Sequence, residues 1–384
     1  MKHSKLFSAS ASKRWLNCTA SPHVQDIVKK PKYTNKFDYA AEGTACHYYA
    51  TYKLFCELKS QEKLLNCTLV TSLDELTISD EDYDQNIARY NNEEMQKHAE
   101  GYSDYVLGLI KPNSKIYLEK TVDYSAYAPE GFGTADCIIS NEDETHIIDL
   151  KYGKGFVNVY NNSQLLMYSL GCTSYASEKY ITHIFQPRIY NIKSMEYTLQ
   201  EVLSFGDKVT KKAEQVLNLP KFKSGSWCTW CNFVGSCKPL SKSFKPLIDK
   251  AIVENTLSDA DLSDFIDKKG LLTKFLEKVE ENACEKLKSG HKIPGMKLVR
   301  ANTQRRWADE TLAYNTLKDY VVDGDDLYSK KLITITKAEK LVGKQEFKKL
   351  EGDIVTKPLG GLTAAAESDR RKSVDDVSTD FENL

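Results

Sequence analysis

The run GTADCIISNEDETHIIDLKYGKG, residues 133–155, restricts the fold of this chain more than any other segment. Two apolar, β-branched stretches flank the polar turn Asn141-Glu142-Asp143, which predicts a hairpin of strands over 133–140 and 145–151. Strand alternation puts Asp149 and Lys151 on one face and turns Leu150 to the other, and the short hairpin brings Asp136 alongside them. An Asp-x-Lys pair on a strand is commonly a surface ion pair of little energetic weight. Here the acid follows Ile147 and Ile148, where desolvation penalises a carboxylate without a strong partner. Two carboxylates with one lysine at a sheet edge can hold Mg²⁺, which takes oxygen ligands. Such an ion polarises a phosphodiester and acidifies water, with Lys151 positioning the water or stabilising developing charge.

The flanking periodicity predicts a strand over 115–122, a helix over 162–174 and a strand over 180–188. The order strand, strand, strand, helix, strand describes a mixed sheet with a helical crossover, an α/β core. Ahead of it, residues 9–18 predict a short helix with a serine cap, and 39–59 a helix with Ala45, Tyr48, Tyr52 and Phe55 as its apolar stripe. Residues 73–96 are acidic and polar, a loop leading into a helix that ends near Lys111 and Pro112. Beyond the core, a helix over 199–217 leads to a cysteine cluster. Mostly helical sequence follows over 246–288, then an extended piece over 296–301 and more helix beyond Asp309. Three regions are expected: a core over 1–245, a mainly helical C-terminal extension over 246–360, and a disordered tail over 361–384.

A chain of 384 residues with 53 Lys and Arg against 54 Asp and Glu has no uniformly basic coat, so a nucleic-acid surface would have to be local. The basic clusters at 208–223, 238–245 and 300–306 read by themselves as solvated faces. No apolar run is long enough to cross a bilayer, and the N-terminus lacks a signal-like apolar stretch, so the cytosol is expected and no membrane partner. There, ten cysteines are not expected to form disulfides. Residues 227–237, WCTWCNFVGSC, bring Cys228, Cys231 and Cys237 together as ligands, with Cys18 the candidate for a fourth. Four thiolates suit tetrahedral zinc and also iron-sulfur clusters. Cys46, Cys56, Cys67, Cys137, Cys172 and Cys284 are assigned to packing, and Trp227 and Trp230 to shielding the metal site rather than to base stacking.

The D-x12-D-x-K hairpin is followed by a helix carrying Q-x3-Y, supplied by Gln164 and Tyr168. Together with Cys18, the EGTACH segment at 42–47 and the three later cysteines, all in this order, the chain resembles the RecB-like branch of the PD-(D/E)XK nucleases. It is similar in its cysteines to members with an AddB-type iron-sulfur staple, and over its whole length to a phage or prophage-encoded group. The resemblance implies a restriction-endonuclease-like core and a Mg²⁺- or Mn²⁺-dependent deoxyribonuclease, an exonuclease acting on DNA ends in phage recombination or repair. The metal ligands would be His47, Asp136, Asp149 and the backbone carbonyl of Leu150, with Lys151, Gln164 and Tyr168 completing the catalytic set. Glu42 and Cys46 are alternative ligands, and Glu119 a further acid. Cys18, Cys228, Cys231 and Cys237 would hold a structural [4Fe-4S] cluster, zinc being the alternative. DNA is the expected partner, with a phage recombination or single-strand-binding protein besides. The competing function is a module that grips DNA or a recombination partner without cutting it.

Overall fold

The structure is a computed structural model that describes residues 4–25, 39–76, 83, 87–253 and 257–296. It divides into two compact units, Met1–Asp261 with Lys268–Asn282, and Leu262–Asp267 with Ala283–Leu384; the first contains every candidate site residue. The expected extended piece beyond residue 296, the later helix and the tail over 361–384 lie outside the described residues, as does the basic cluster at 300–306.

A six-stranded mixed sheet organises the first unit, its strands lying side by side in chain order. They are β1 (Thr68–Leu69), β2 (Lys115–Asp123), β3 (Phe132–Ser140), β4 (Glu144–Leu150), β5 (Lys179–Gln186) and β6 (Asn191–Thr198). β1 and β2 are parallel, β2, β3 and β4 successively antiparallel, β4 and β5 parallel, and β5 and β6 antiparallel. The helix between β4 and β5, α5 (Ser163–Gly171), is the crossover that a parallel pair requires. Two strands were not expected. β1 has only two residues, and β6, NIKSMEYT, buries only Asn191 and Tyr197, so it carries no alternating apolar signal. Its pairing follows from the preceding turn, Pro187–Ile189 with Tyr190 in the left-handed region, which returns the chain along β5.

Neighbouring isoleucines explain why the sheet is covered on both faces. Ile138 and Ile147 enter a core with Phe7, Trp15, Leu165 and Tyr180. Ile139 and Ile148 point the other way, into a core with Leu54, Met95, Ile116 and Phe185. Sheets buried on both faces read as continuous apolar runs. Burying each isoleucine contributes roughly 1.5–3 kcal/mol.

On one face lie α3 (Tyr39–Leu65) and α4 (Glu93–Leu107). The buried stripe of α3 runs through Ala45, Cys46, Ala50, Leu54, Phe55 and Leu58, not through Tyr48 and Tyr52 as expected; Tyr52 is 45% exposed. The two tyrosines instead stack on each other, and the small residues face Met95, Ala99 and Tyr102 of α4 in the shared core. The other face carries α5 and α6 (Leu199–Asn218), the latter opened by a capping box between Thr198 and Glu201. The expected helix over 9–18 is a 3₁₀ turn, Ala9–Ala11, followed by α1 (Ser12–Trp15), and no serine side chain caps either. After α2 (Ser21–Val24) and the sheet, the described chain ends in α7 (Lys238–Val253) and α8 (Asp259–Lys288). Among the described residues no helix is long and apolar enough to cross a membrane. Of the cysteines assigned to packing, Cys46, Cys67, Cys137 and Cys172 are buried, but Cys56 is exposed and Cys284 only half-buried.

Candidate functional site

The β2–β3 ladder is interrupted at its most acidic point. Pairing runs from Leu118↔Cys137 to Lys120↔Ala135, leaving out the opposed residues Glu119 and Asp136. Glu119 has φ +47°, a left-handed conformation that costs a non-glycine residue roughly 1–3 kcal/mol and clusters at functional sites. On the other side the β3–β4 pairing ends at Cys137↔Ile148. Asp136 is thus released from both ladders, and its Oδ2 accepts the Leu150 N–H at 2.7 Å.

α3 closes over this break. His47 Nδ1, buried and without a hydrogen-bond partner, lies 3.4 Å from Asp136 Oδ1. One turn further, Thr51 donates to Glu119 Oε1 at 3.1 Å. The ligand atoms of His47, Glu119 and Asp136 all lie within 4.8 Å of one another, a triad able to hold a metal ion. Beside it stands a second network. Asp149, only 2% exposed, is paired with Lys151 Nζ at 2.7 and 2.9 Å, and its Oδ1 also accepts Gln164 Nε2 at 3.1 Å. Gln164 Nε2 is 3.1 Å from Tyr168 Oη as well, and the Asn162 side chain fixes Gln164 by accepting its backbone N–H. Leu150, whose carbonyl was expected to be a ligand, is the last residue of β4, with its side chain in the α3–α4 core.

The charges are strongly coupled. Burial and the nearby Asp136 push Glu119 up to about 7. Burial, with Asp136 adding and Lys151 opposing, pushes Asp149 up to about 6. Burial opposes charge on Asp136 too, but His47, Lys151 and the Leu150 N–H outweigh it and hold this carboxyl below its ordinary range. His47 resists burial in the same way, Asp136 chiefly raising it to about 9. Burial works against the Lys151 ammonium, yet Asp149 and Asp136 raise its pKa. Three carboxyl groups thus converge on one histidine and one lysine, with Glu119 and Asp149 raised and Asp136 lowered from their ordinary ranges.

Every expected catalytic side chain therefore lies in one connected region, divided into a triad and a lysine-glutamine network. Glu119 joins His47 and Asp136 in the triad, while Asp149 is held by Lys151 and Gln164. Glu119 stood in the sequence only as a secondary acid, because its place opposite Asp136 depends on register. The alternative ligands fall away. Glu42 is 4% exposed and gripped by Arg188 through bonds of 2.6 and 2.8 Å, and Cys46 is fully buried in the core, its thiol pushed up to about 12 by burial.

The four remote cysteines also converge. Cys18, Cys228, Cys231 and Cys237 line one small cavity of about 20 Å³, together with Val24, Phe222, Phe233 and Leu240. Its two walls are tied by backbone contacts, Ala20 N–H to the Lys221 carbonyl at 3.1 Å and Lys221 N–H to Thr19 Oγ1 at 2.8 Å. Burial raises the thiols of Cys18 and Cys237 and pushes Cys228 up to about 11. Among the described residues no three cysteine sulfurs come within 4.8 Å of one another. Trp227 is half-buried, its indole N–H on the Lys223 carbonyl. Trp230, expected to shield the site, is 78% exposed and shields nothing.

The chain belongs to the DUF2800 family, described as "Protein of unknown function (DUF2800)", whose pattern matches residues 3–372. Among solved structures it is similar to one described as "Crystal structure of SSO0001", with 18% identity over 51% of this chain and 85% of that one. The TM-score of 0.23 is too low to bear on fold or function.

Proposed function

We propose that the chain is a metal-dependent deoxyribonuclease with a PD-(D/E)XK-type core, trimming DNA ends as an exonuclease. The observation that carries this reading is the unpaired juncture at Glu119 and Asp136, with His47 above it and Asp149–Lys151–Gln164 beside it. One imidazole and two carboxylates within 4.8 Å of one another can take Mg²⁺ or Mn²⁺, with His47 Nδ1, 3.4 Å from Asp136 Oδ1, as the nitrogen ligand. A bound ion would supply Lewis-acid polarisation of the phosphodiester and lower the pKa of the attacking water. Lys151, held charged by Asp149 and Asp136, is suited to stabilise negative charge developing on phosphate oxygens. Gln164 keeps Asp149 oriented, and Tyr168 braces Gln164.

The four cysteines lining one cavity fit a structural metal site, a [4Fe-4S] cluster by the resemblance of their pattern, with zinc as the alternative. Such a cluster would cross-link the N-terminal segment to residues 228–237 and strengthen the first unit.

Wild type and the Asp149→Ala and Lys151→Ala variants incubated with end-labelled DNA and Mg²⁺ test the assignment. Cleavage by wild type with a loss of about 100-fold or more in each variant is expected. Equal traces in all three would remove the enzymatic reading and leave the non-cutting DNA-binding module. Anaerobically purified protein should be brown and contain iron; zinc alone would overturn the cluster.

A further inference from the structure

Beside the cysteine cavity lies an open groove of about 330 Å³, lined among others by Lys5, Ser8, Ser10, Arg14, Trp230 and Asn232. Among the described residues no carboxylate lines it. Trp230 stands out from the 3₁₀ turn Ser226–Trp230 with most of its indole open to solvent. Lys274 Nζ sits 4.9 Å from the centre of that ring, and Arg14 Nη1 donates to the Trp230 carbonyl at 2.6 Å. An exposed tryptophan held at its backbone by an arginine and accompanied by a lysine presents a fixed aromatic surface beside two cations.

The segment that floors the groove packs against α5, the helix that carries Gln164. Ser12, between the lining residues Ser10 and Arg14, donates to Ser163 Oγ at 2.7 Å, and Ser163 directly precedes Gln164, which holds Asp149. A Cβ on Gly133 would meet both Ala9 and the Tyr168 ring, so the floor segment and the catalytic helix converge there. Hydroxyls, amides, cations and one open π-face suit a polyanion with unpaired bases, and a duplex offers no base face to an indole.

We propose that this groove seats a single DNA strand, one base stacked on Trp230 and backbone phosphates meeting Lys5 and Lys274, so that the strand runs on toward Asp136 and Asp149. The proposal deepens the nuclease reading and rests on it for direction only. Because Trp230 lies between Cys228 and Cys231 and is anchored by Arg14, the cysteine-bound metal would hold the stacking platform in place.

The test is fluorescence anisotropy of a labelled oligothymidylate with the full-length, metal-loaded protein, Ca²⁺ replacing Mg²⁺ to suppress cleavage. Trp230→Leu should weaken binding roughly tenfold or more, whereas Trp230→Phe keeps most of it. Joint Lys5→Gln and Lys274→Gln should lower the slope of log affinity against log salt by about 0.7 per phosphate contact. Wild-type affinity in Trp230→Leu would overturn the proposal. So would equal losses in the Leu and Phe variants at unchanged metal content and circular dichroism, because that pattern marks a structural role. Preference for duplex over single strand would overturn it as well. Hydrolysis of a thymidine p-nitrophenyl phosphodiester, too short to reach the groove, separates the two readings: Trp230→Leu should retain it and Asp149→Asn lose it. If neither wild type nor variants hydrolyse the ester while the Trp230 effect on binding persists, the nuclease reading fails and the strand seat stands.

Discussion

The bridge between Glu42 and Arg188 offers the most quantitative handle on how the triad is held. Glu42 lies five residues before His47 on α3, and Arg188 lies in the turn after β5, so the pair fastens the helix to the sheet. Both partners are well shielded, with side chains 6% and 13% exposed, and Arg188 also lies over the Tyr152 ring at 4.1 Å. Replacing Arg188 by Met leaves Glu42 buried without its counter-ion, which costs about 3–5 kcal/mol. For a unit of this size that corresponds to a fall of about 6–20 °C in melting temperature. Replacing both residues, Glu42→Leu with Arg188→Met, removes the orphaned charge and should recover most of the loss. Thermal unfolding by circular dichroism measures the four corners of this cycle. Mn²⁺ titration of the single variant should show weakened binding, because α3 carries His47. A single variant melting within about 2 °C of wild type, or a double variant no better than the single, would refute the buried-pair argument.

Three further outcomes follow from the same coordinates. Burial and the adjacent His146 push His183 down to about 3, while an unfolded chain takes up that proton near pH 6.5. Its contribution is therefore fully present above pH 6.5 and lost as pH falls toward 3, at about 1.4 kcal/mol per unit, and urea titrations of wild type and His183→Gln should differ in that slope. In the candidate triad, His47 at about 9 and Glu119 at about 7 hold protons near neutrality, so on the proposed reading metal uptake should release them and Mn²⁺ affinity should rise from pH 6 to 9. Calorimetry in buffers of different ionisation enthalpy counts the protons, and a pH-independent affinity would contradict the coupling. Finally, a Cβ at Gly206 in α6 would lie 2.5 Å from the Tyr127 ring, whereas one at Gly43 in α3 meets nothing within 4 Å. Gly206→Ala should destabilise by about 1–3 kcal/mol and Gly43→Ala stabilise by about 0.5–1 kcal/mol in chemical denaturation.

Much of the architecture was legible before any coordinates, because strand alternation and turn residues are local properties. The 133–155 hairpin, the crossover helix with Gln164 and Tyr168, and the strand after it all stand where the pattern put them. The pairing of Asp149 with Lys151 was readable for the same reason, since residues two apart on a strand share a face. The cysteine cavity was legible in composition, as three clustered thiols and one remote one, although the cavity itself joins residues more than 200 positions apart.

Tertiary structure decided what depended on register and on long-range contact. Nothing in KIYLEKTVD says that Glu119 faces Asp136, or that both leave the ladder there, because opposition is a property of two strands and not of one. Nothing in EGTACH says that Glu42 belongs to Arg188 and that His47 faces Asp136, because Arg188 arrives from 141 and Asp136 from 89 residues downstream of His47. The polar strand β6 and the open face of Trp230 were hidden for a related reason: polar residues are stabilised in a strand, and an aromatic is left in solvent, by neighbours that only the folded chain supplies. The chemical types at the site were thus set by local sequence, and their division into a His–Glu–Asp triad and a lysine-held carboxylate by the way the strands part between them.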